Sequence, residues 1–335
     1  MLIYYDADID PRRFEGRTTI AVKIKQFLEK KGYKFTKDIK EAELLHVHSS
    51  GIFPSYNAYK LKEKYNIPCI YSLYSTSKTE PIKHIRNWIV QRKYFEKTAT
   101  NWLLSYSAVL PLKLRALFLK KLDKVIVPSN YIKNRLYKNT RVIRFGVDVT
   151  KFKPLKRKDS SIIKVAFFGH PGVFKGVNDY VKASKSFSDN IEPYVFLTKK
   201  TKKIEKYIKN INPKIKLFGF VPDVVKAYNN MDIIVLPYRT SLGTIANPLV
   251  LLEAMACGKA IITTNLDFVK EIVKDSAVKV KAYSPIRIAK AVNKLAKNKV
   301  LCKNLGEKAR DIAVKYYDEK LMLNEYLRVY KEFGK

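Results

Sequence analysis

Apolar and polar positions alternate along this chain in two rhythms. Short runs rich in Ile, Val, Phe and Tyr read as buried strands, and between them lie longer segments in which apolar residues recur every three or four positions. In the first half the runs predict strands over 2–5, 44–47, 69–73, 124–127 and 142–144, with helices over 18–31 and 56–65 among the segments between. The basic segment 151–161, with Pro154 and clustered like charges, suits a linker. The rhythm then restarts, with strands over 163–168, 194–197, 216–218, 233–236, 260–263 and 278–280 and a helix over 177–187. A helix pair over 285–317 and a last helical segment over 321–333 close the chain. Repeated strand–helix–strand units wind parallel sheets, so the expected class is α/β, with two doubly wound, Rossmann-like domains over 1–150 and 151–317. The final segment, 318–335, is expected to pack back on the first domain. Ligands of such sheets bind beyond the carboxyl ends of the strands, so two facing domains would hold one substrate on each wall of a cleft.

Composition narrows the classes. A chain of 335 residues with 47% apolar, 12% aromatic and 29% charged residues is globular, which excludes disorder, collagen and disulfide scaffolds. Cys69, Cys257 and Cys302 are odd in number and far apart, as free thiols in a reducing compartment would be. The opening Met1-Leu2-Ile3-Tyr4-Tyr5-Asp6 has neither the length nor the basic flank of a signal peptide, so a cytoplasmic location is expected. A net charge of +36 implies an anionic partner, yet no nucleic-acid-binding motif accompanies it, so no specific nucleic acid is expected. The region 83–138 is locally dense in basic residues. Within it Arg86, Trp88, Arg92, Lys93, Tyr94 and Phe95 precede an uncharged stretch, 98–112, that is shorter than the roughly 20 residues needed to span a bilayer. Two interpretations stay open: peripheral contact with an anionic membrane surface on its inner face, or a pair of amphipathic helices covering the first sheet.

Four places could carry chemistry. Gly169-His170-Pro171-Gly172-Val173-Phe174-Lys175-Gly176 joins a strand to a helix, so close backbone approach, helix-end amides and the Lys175 ammonium could hold phosphate; a plain tight turn is the alternative. In Asn247-Pro248-Leu249-Val250-Leu251-Leu252-Glu253-Ala254-Met255-Ala256, Glu253 is out of character in an apolar helix. It needs donors, which ribose hydroxyls or a neighbouring lysine could supply. Gly16-Arg17-Thr18-Thr19 precedes the first helix, where Thr18 could be a helix cap. His46 and His48 share one face of a strand without a third metal ligand, which favours a structural role. Asp6-Ala7-Asp8 reads as a polar loop, and no metal site is expected.

Taken in order, these pieces resemble the nucleotide-sugar-dependent glycosyltransferases of family 4, within group 1, which have the GT-B fold. The resemblance covers nearly the whole chain, through Leu45-His46-Val47-His48, Val125-Ile126-Val127-Pro128-Ser129-Asn130, Gly146-Val147-Asp148, Phe168-Gly169 with Lys175-Gly176, Phe218-Gly219-Phe220-Val221, Tyr228-Asn229-Asn230-Met231-Asp232 and Leu252-Glu253-Ala254-Met255-Ala256-Cys257-Gly258. It implies a retaining, metal-independent transferase, a hexosyltransferase, using a UDP-, GDP- or ADP-sugar as donor substrate and no cofactor, with a glycan, lipid or protein acceptor. It assigns the donor site to Gly169, His170, Lys175, Gly219, Val221, Ala246, Asn247, Pro248, Leu249 and Glu253, and the acceptor side to Gly16, Arg17, Thr18 and Tyr74. The reaction would be carried by Tyr74, Lys175 and Glu253. The chain departs from the family pattern at Ile245, where a second glutamate is usual, at Pro248 for glycine, at His170 for arginine and at Tyr74 for histidine. Those departures motivate an alternative, a noncatalytic protein that binds a nucleotide sugar or glycan.

Overall fold

The computed structural model describes residues 1–7, 16–49, 52–74, 87, 89–91, 112–134, 136, 139–157, 160–240 and 247–334, without the side chains of Arg17 and 112–115. Two six-stranded sheets, parallel throughout, organise it. The first is ordered β2-β1-β3-β4-β5-β6, from β1 (Leu2–Asp6), β2 (Lys34–Thr36), β3 (Leu44–Ser49), β4 (Cys69–Leu73), β5 (Lys124–Val127) and β6 (Thr140–Val142). The second is ordered β12-β11-β10-β7-β8-β9, from β7 (Ile163–Gly169), β8 (Ile191–Leu197), β9 (Lys216–Phe218), β10 (Ile233–Leu236), β11 (Ala260–Thr264) and β12 (Ala277–Val280). Helices cover both faces, so the central strands are apolar along their length, and every residue of β4, β10 and β11 is buried. Each sheet is a doubly wound, Rossmann-like layer, two in tandem as expected.

Three expectations shift. The edge strand β2 carries too few residues for a periodic signal and was not anticipated. The strand expected over 142–144 pairs two residues earlier, with Val125, Ile126 and Val127 opposite Thr140, Arg141 and Val142. The helix expected over 177–187 ends at Ala183 and continues as a 3-10 turn, Ser184–Ser186, where the Ser184 hydroxyl donates back to the Val181 carbonyl at 2.8 Å.

One hydrophobic core runs from the first sheet through Phe145, Val147, Val149 and Phe152 into Phe168 and Leu236 of the second. The junction is pinned: Arg310 donates to the carbonyls of Val149, Phe152 and Ala256 at 2.9, 2.6 and 2.8 Å. The helix Glu319–Lys331 crosses back to the first domain, where Val147 receives the Glu319 amide at 3.0 Å and donates to Tyr317 at 2.8 Å. A side chain at Gly146 would sit 2.3 Å from the Glu319 Cα, so only glycine permits this crossing. Tyr326 and Tyr330 then enter the first core, and Arg141 holds Glu325 and Glu332. Among the described residues no helix is long and apolar enough to cross a membrane.

Candidate active site at the carboxyl ends of the strands

In the second sheet, chain order reverses between β7 and β10, the position where open parallel sheets form a crevice. The loop after β7 and the chain after β10 interlock there: Arg239 donates its backbone N–H to the Phe174 carbonyl at 3.0 Å. Gly176 adopts φ +82°, and a Cβ on it would fall 1.9 Å from the Pro237 carbonyl oxygen, so the loop seats against β10 only because this position is glycine. Lys175, half-buried, extends over Tyr238, its Nζ 5.9 Å from the ring centroid.

Glu253 approaches the same ring from the helix Leu249–Ala256. Leu251, Leu252, Ala254 and Met255 on that helix are fully buried, which anchors it and leaves the half-buried Glu253 at the edge. The Tyr228 hydroxyl donates to Glu253 Oε2 at 2.9 Å. Burial pushes the Glu253 pKa above the usual carboxylate range, opposed by the Tyr228 hydrogen bond and by the charges of Lys23 and Lys151. Tyr238 is itself pushed up, chiefly by burial and then by the Glu253 charge. Tyr238 is thus the residue the two have in common: the Lys175 ammonium lies over its ring and the Glu253 charge acts on its hydroxyl. Among the described residues Glu253 makes no ion pair, so its direct partner is a tyrosine hydroxyl and not a lysine.

The other residues expected to hold a donor lie on the connections and helices of the second sheet. Asn247, 1% exposed, precedes the helix, and among the described residues neither polar atom of its amide has a hydrogen-bond partner. Pro248 occupies the N-cap position and Leu249 packs on the central core. Ala246 and Ile245 lie outside the described residues. His170 is exposed, with Nδ1 3.2 Å from the Thr198 hydroxyl. An aromatic ladder leads from Tyr228 through Phe168 and Phe196 to Phe218, with centroid spacings of 4.3, 4.4 and 5.0 Å. At its end Gly219 is half-buried, Val221 packs on the core, and Phe220 is exposed. Tyr228 and Tyr238 were not singled out by sequence reasoning as site residues, although Tyr228 lies in a motif that carried the resemblance.

On the first-domain side the picture differs. Tyr74 is 1% exposed, with its hydroxyl paired to His48 Nδ1. His48 Nε2 lies 3.2 Å from His46 Nδ1, which also meets the Tyr330 hydroxyl, and His46 Nε2 lies 2.8 Å from Ser72 Oγ, itself 3.0 Å from the Tyr326 hydroxyl. In one proton arrangement Tyr74 donates to His48 Nδ1, Tyr330 donates into the single Nδ1 lone pair of His46, and His46 Nε2–H donates to Ser72. Burial pushes the His46 pKa down to about 3, which keeps the ring neutral. Both histidines are structural members of a closed network, and Tyr74 commits its proton to it. Gly16 opens the first helix, Gly16–Lys30, and Thr18 on it is buried at 4% exposure. Among the described residues no three His, Cys, Asp or Glu side chains group as a metal site; Asp8 lies outside them.

The basic aromatic stretch is visible only at Asn87, Ile89, Val90 and Gln91. Val90 packs against the core of the second domain, so this part of the stretch does not cover the first sheet.

Residues 150–312 match the family model described as glycosyl transferases group 1. An uncharacterized glycosyltransferase of Methanocaldococcus jannaschii, MJ1178, is 28% identical over 314 residues, spanning 90% of this chain and 80% of the relative. Among solved structures, Anabaena HepE in complex with UDP superposes with a TM-score of 0.72 at 13% identity, covering 99% of each chain. Sucrose-phosphate synthase from Thermosynechococcus elongatus superposes with a TM-score of 0.76 at 13% identity, covering 99% of this chain and 98% of that one. Residues 150–312 thus match group 1 glycosyl transferases, and the chain as a whole has the GT-B fold of two parallel-sheet domains.

Proposed function

We propose that the chain transfers a sugar from a nucleoside diphosphate sugar, held by the second domain, to a hydroxyl of a glycan, lipid or protein at the first-domain wall. Anomeric configuration is retained and no metal ion is required. One observation carries this: Tyr238 has the Lys175 ammonium over its ring and feels the charge of the Glu253 carboxylate, so both groups act on one residue. A carboxylate offers about four lone-pair sites, and Tyr228 fills one, so a ribose diol can donate to the others. Lys175, with the loop before the next helix, supplies positive charge for the diphosphate. That charge stabilises the leaving group as the sugar–oxygen bond breaks. The Asn247 amide, buried and without a partner, has donor and acceptor atoms at the same helix end for a donor's polar groups. The UDP in the HepE complex supports a uridine nucleotide as the first donor to try.

Titration with UDP-, GDP- and ADP-sugars tests it. One donor should bind saturably, and Lys175→Ala should weaken it about 100-fold, the scale of one lost charge-stabilising contact. Equal affinity in the variant removes Lys175 from the site. Transfer to candidate acceptors, with the product anomer read by NMR, tests turnover and retention.

A further inference from the structure

Two buried amide side chains of the first half of the chain brace the phosphate loop of the second, Gln91 directly and Asn87 through Arg239. Gln91, 4% exposed, accepts from the Val173 N–H at 2.8 Å and donates to the Pro171 carbonyl at 3.3 Å, so it grips the loop on both sides of Gly172. The loop's own bonds join Gly172 to His170, Lys175 to Gly172 and Gly176 to Val173. They leave Val173 N–H and the Pro171 carbonyl to Gln91. Asn87, fully buried and one helical turn earlier, accepts from Arg239 Nη1 at 3.0 Å and donates to the Tyr283 hydroxyl at 2.9 Å. Arg239 in turn holds Asp179 through two bonds of 2.7 Å, on the helix Val177–Ala183 that follows the loop, and its backbone holds Phe174. The loop bearing His170 and Lys175 is thus fixed at its start by Gln91 and at its end by the Asn87–Arg239–Asp179 relay.

We infer that Gln91 and Asn87 are positioning residues for the donor, setting the phosphate loop from the opposite half of the chain. The inference rests on the donor site proposed above. Buried backbone groups require partners, and a loop deprived of one relaxes until water reaches it. The ammonium of Lys175 would then sample several positions, which weakens the diphosphate contact while leaving the nucleoside's seat on the second domain unchanged.

Gln91→Met keeps the side-chain volume and removes both hydrogen bonds, whereas Gln91→Glu keeps an acceptor for Val173 N–H. In ligand-free full-length protein, amide exchange at Val173 should accelerate about tenfold in Gln91→Met, the effect of one lost net hydrogen bond, and less in Gln91→Glu. Titration with UDP, GDP and ADP should show the bound nucleotide's Kd rising about tenfold in Gln91→Met, with the Kd of the matching nucleoside unchanged. In turnover the donor KM should rise by a similar factor, with kcat within about twofold. Unchanged exchange at Val173, unchanged diphosphate affinity, or an equal loss for nucleoside and diphosphate overturns the inference. If wild-type protein binds none of the three nucleotides, the donor site itself is wrong and this inference falls with it. Binding by the wild type with no change in the variant sinks the inference alone.

Discussion

The two sheets share a layout and treat their polar groups in opposite ways. Behind the first, His46, His48, Ser72, Tyr74, Tyr326 and Tyr330 form a chain in which every member meets another polar group. At the second, among the described residues, Glu253 has a single donor and Asn247 has none, although both lie in apolar surroundings. Burial is common to both regions, so burial does not mark a site. What separates them is whether hydrogen-bonding capacity is consumed by the fold or left over. A closed network contributes stability and specificity, while unspent capacity lowers apo stability and is repaid by a ligand.

The strongest way to break the contrast is to unseat the loop that makes the second region open. Gly176→Ala places a Cβ 1.9 Å from the Pro237 carbonyl at φ +82°, so overpacking and backbone strain together should destabilise the protein by about 3 kcal/mol or more. Nucleotide binding should vanish with it. An unaltered denaturation midpoint would mean that loop and β10 are not wedged together. Tyr330→Phe probes the other side. It removes a donor from the buried His46 ring and should cost roughly 1–3 kcal/mol of stability, with nucleotide affinity unchanged. A comparable loss of affinity would show that the first network serves the site directly.

The legibility of the sequence follows the same division. Strands buried on both faces, such as β4, β5 and β10, are legible at their observed limits because flanking polar residues punctuate an apolar run. Where the signal is short it fails: β2 has three residues, and the two apolar residues Val142 and Ile143 between Arg141 and Arg144 do not fix which residues pair. Lys175 and Glu253 stood out because each breaks a local pattern, a lysine in a glycine-bearing turn and a carboxylate in an apolar helix. Their setting did not. Tyr238 is one aromatic among many until β10 brings it beneath the lysine, and Gln91 lies 80 residues from the carbonyl it holds. Tyr74 was read as facing the acceptor, since a strand-end tyrosine does not reveal that His48 on the neighbouring strand takes its proton.

The finest test of the contrast uses Glu253→Gln, which keeps shape and a partner for Tyr228 while removing charge. Burial raises the Glu253 pKa, so in the unliganded protein the ionised form is the disfavoured one. That penalty operates above the folded-state pKa and disappears as the group takes up a proton below it. At neutral pH the uncharged glutamine should therefore raise Tm, by roughly 2–4 °C, while donor affinity falls about tenfold through loss of a charged acceptor for the ribose hydroxyls. Wild-type affinity should decline on acidification, beginning above the ordinary carboxylate range, and this Glu253-linked decline should be absent in Glu253→Gln. Opposite signs for stability and binding are the signature of capacity held for a ligand. A variant that loses both together would place Glu253 with His46, as a member of the fold's internal bonding and not of its site.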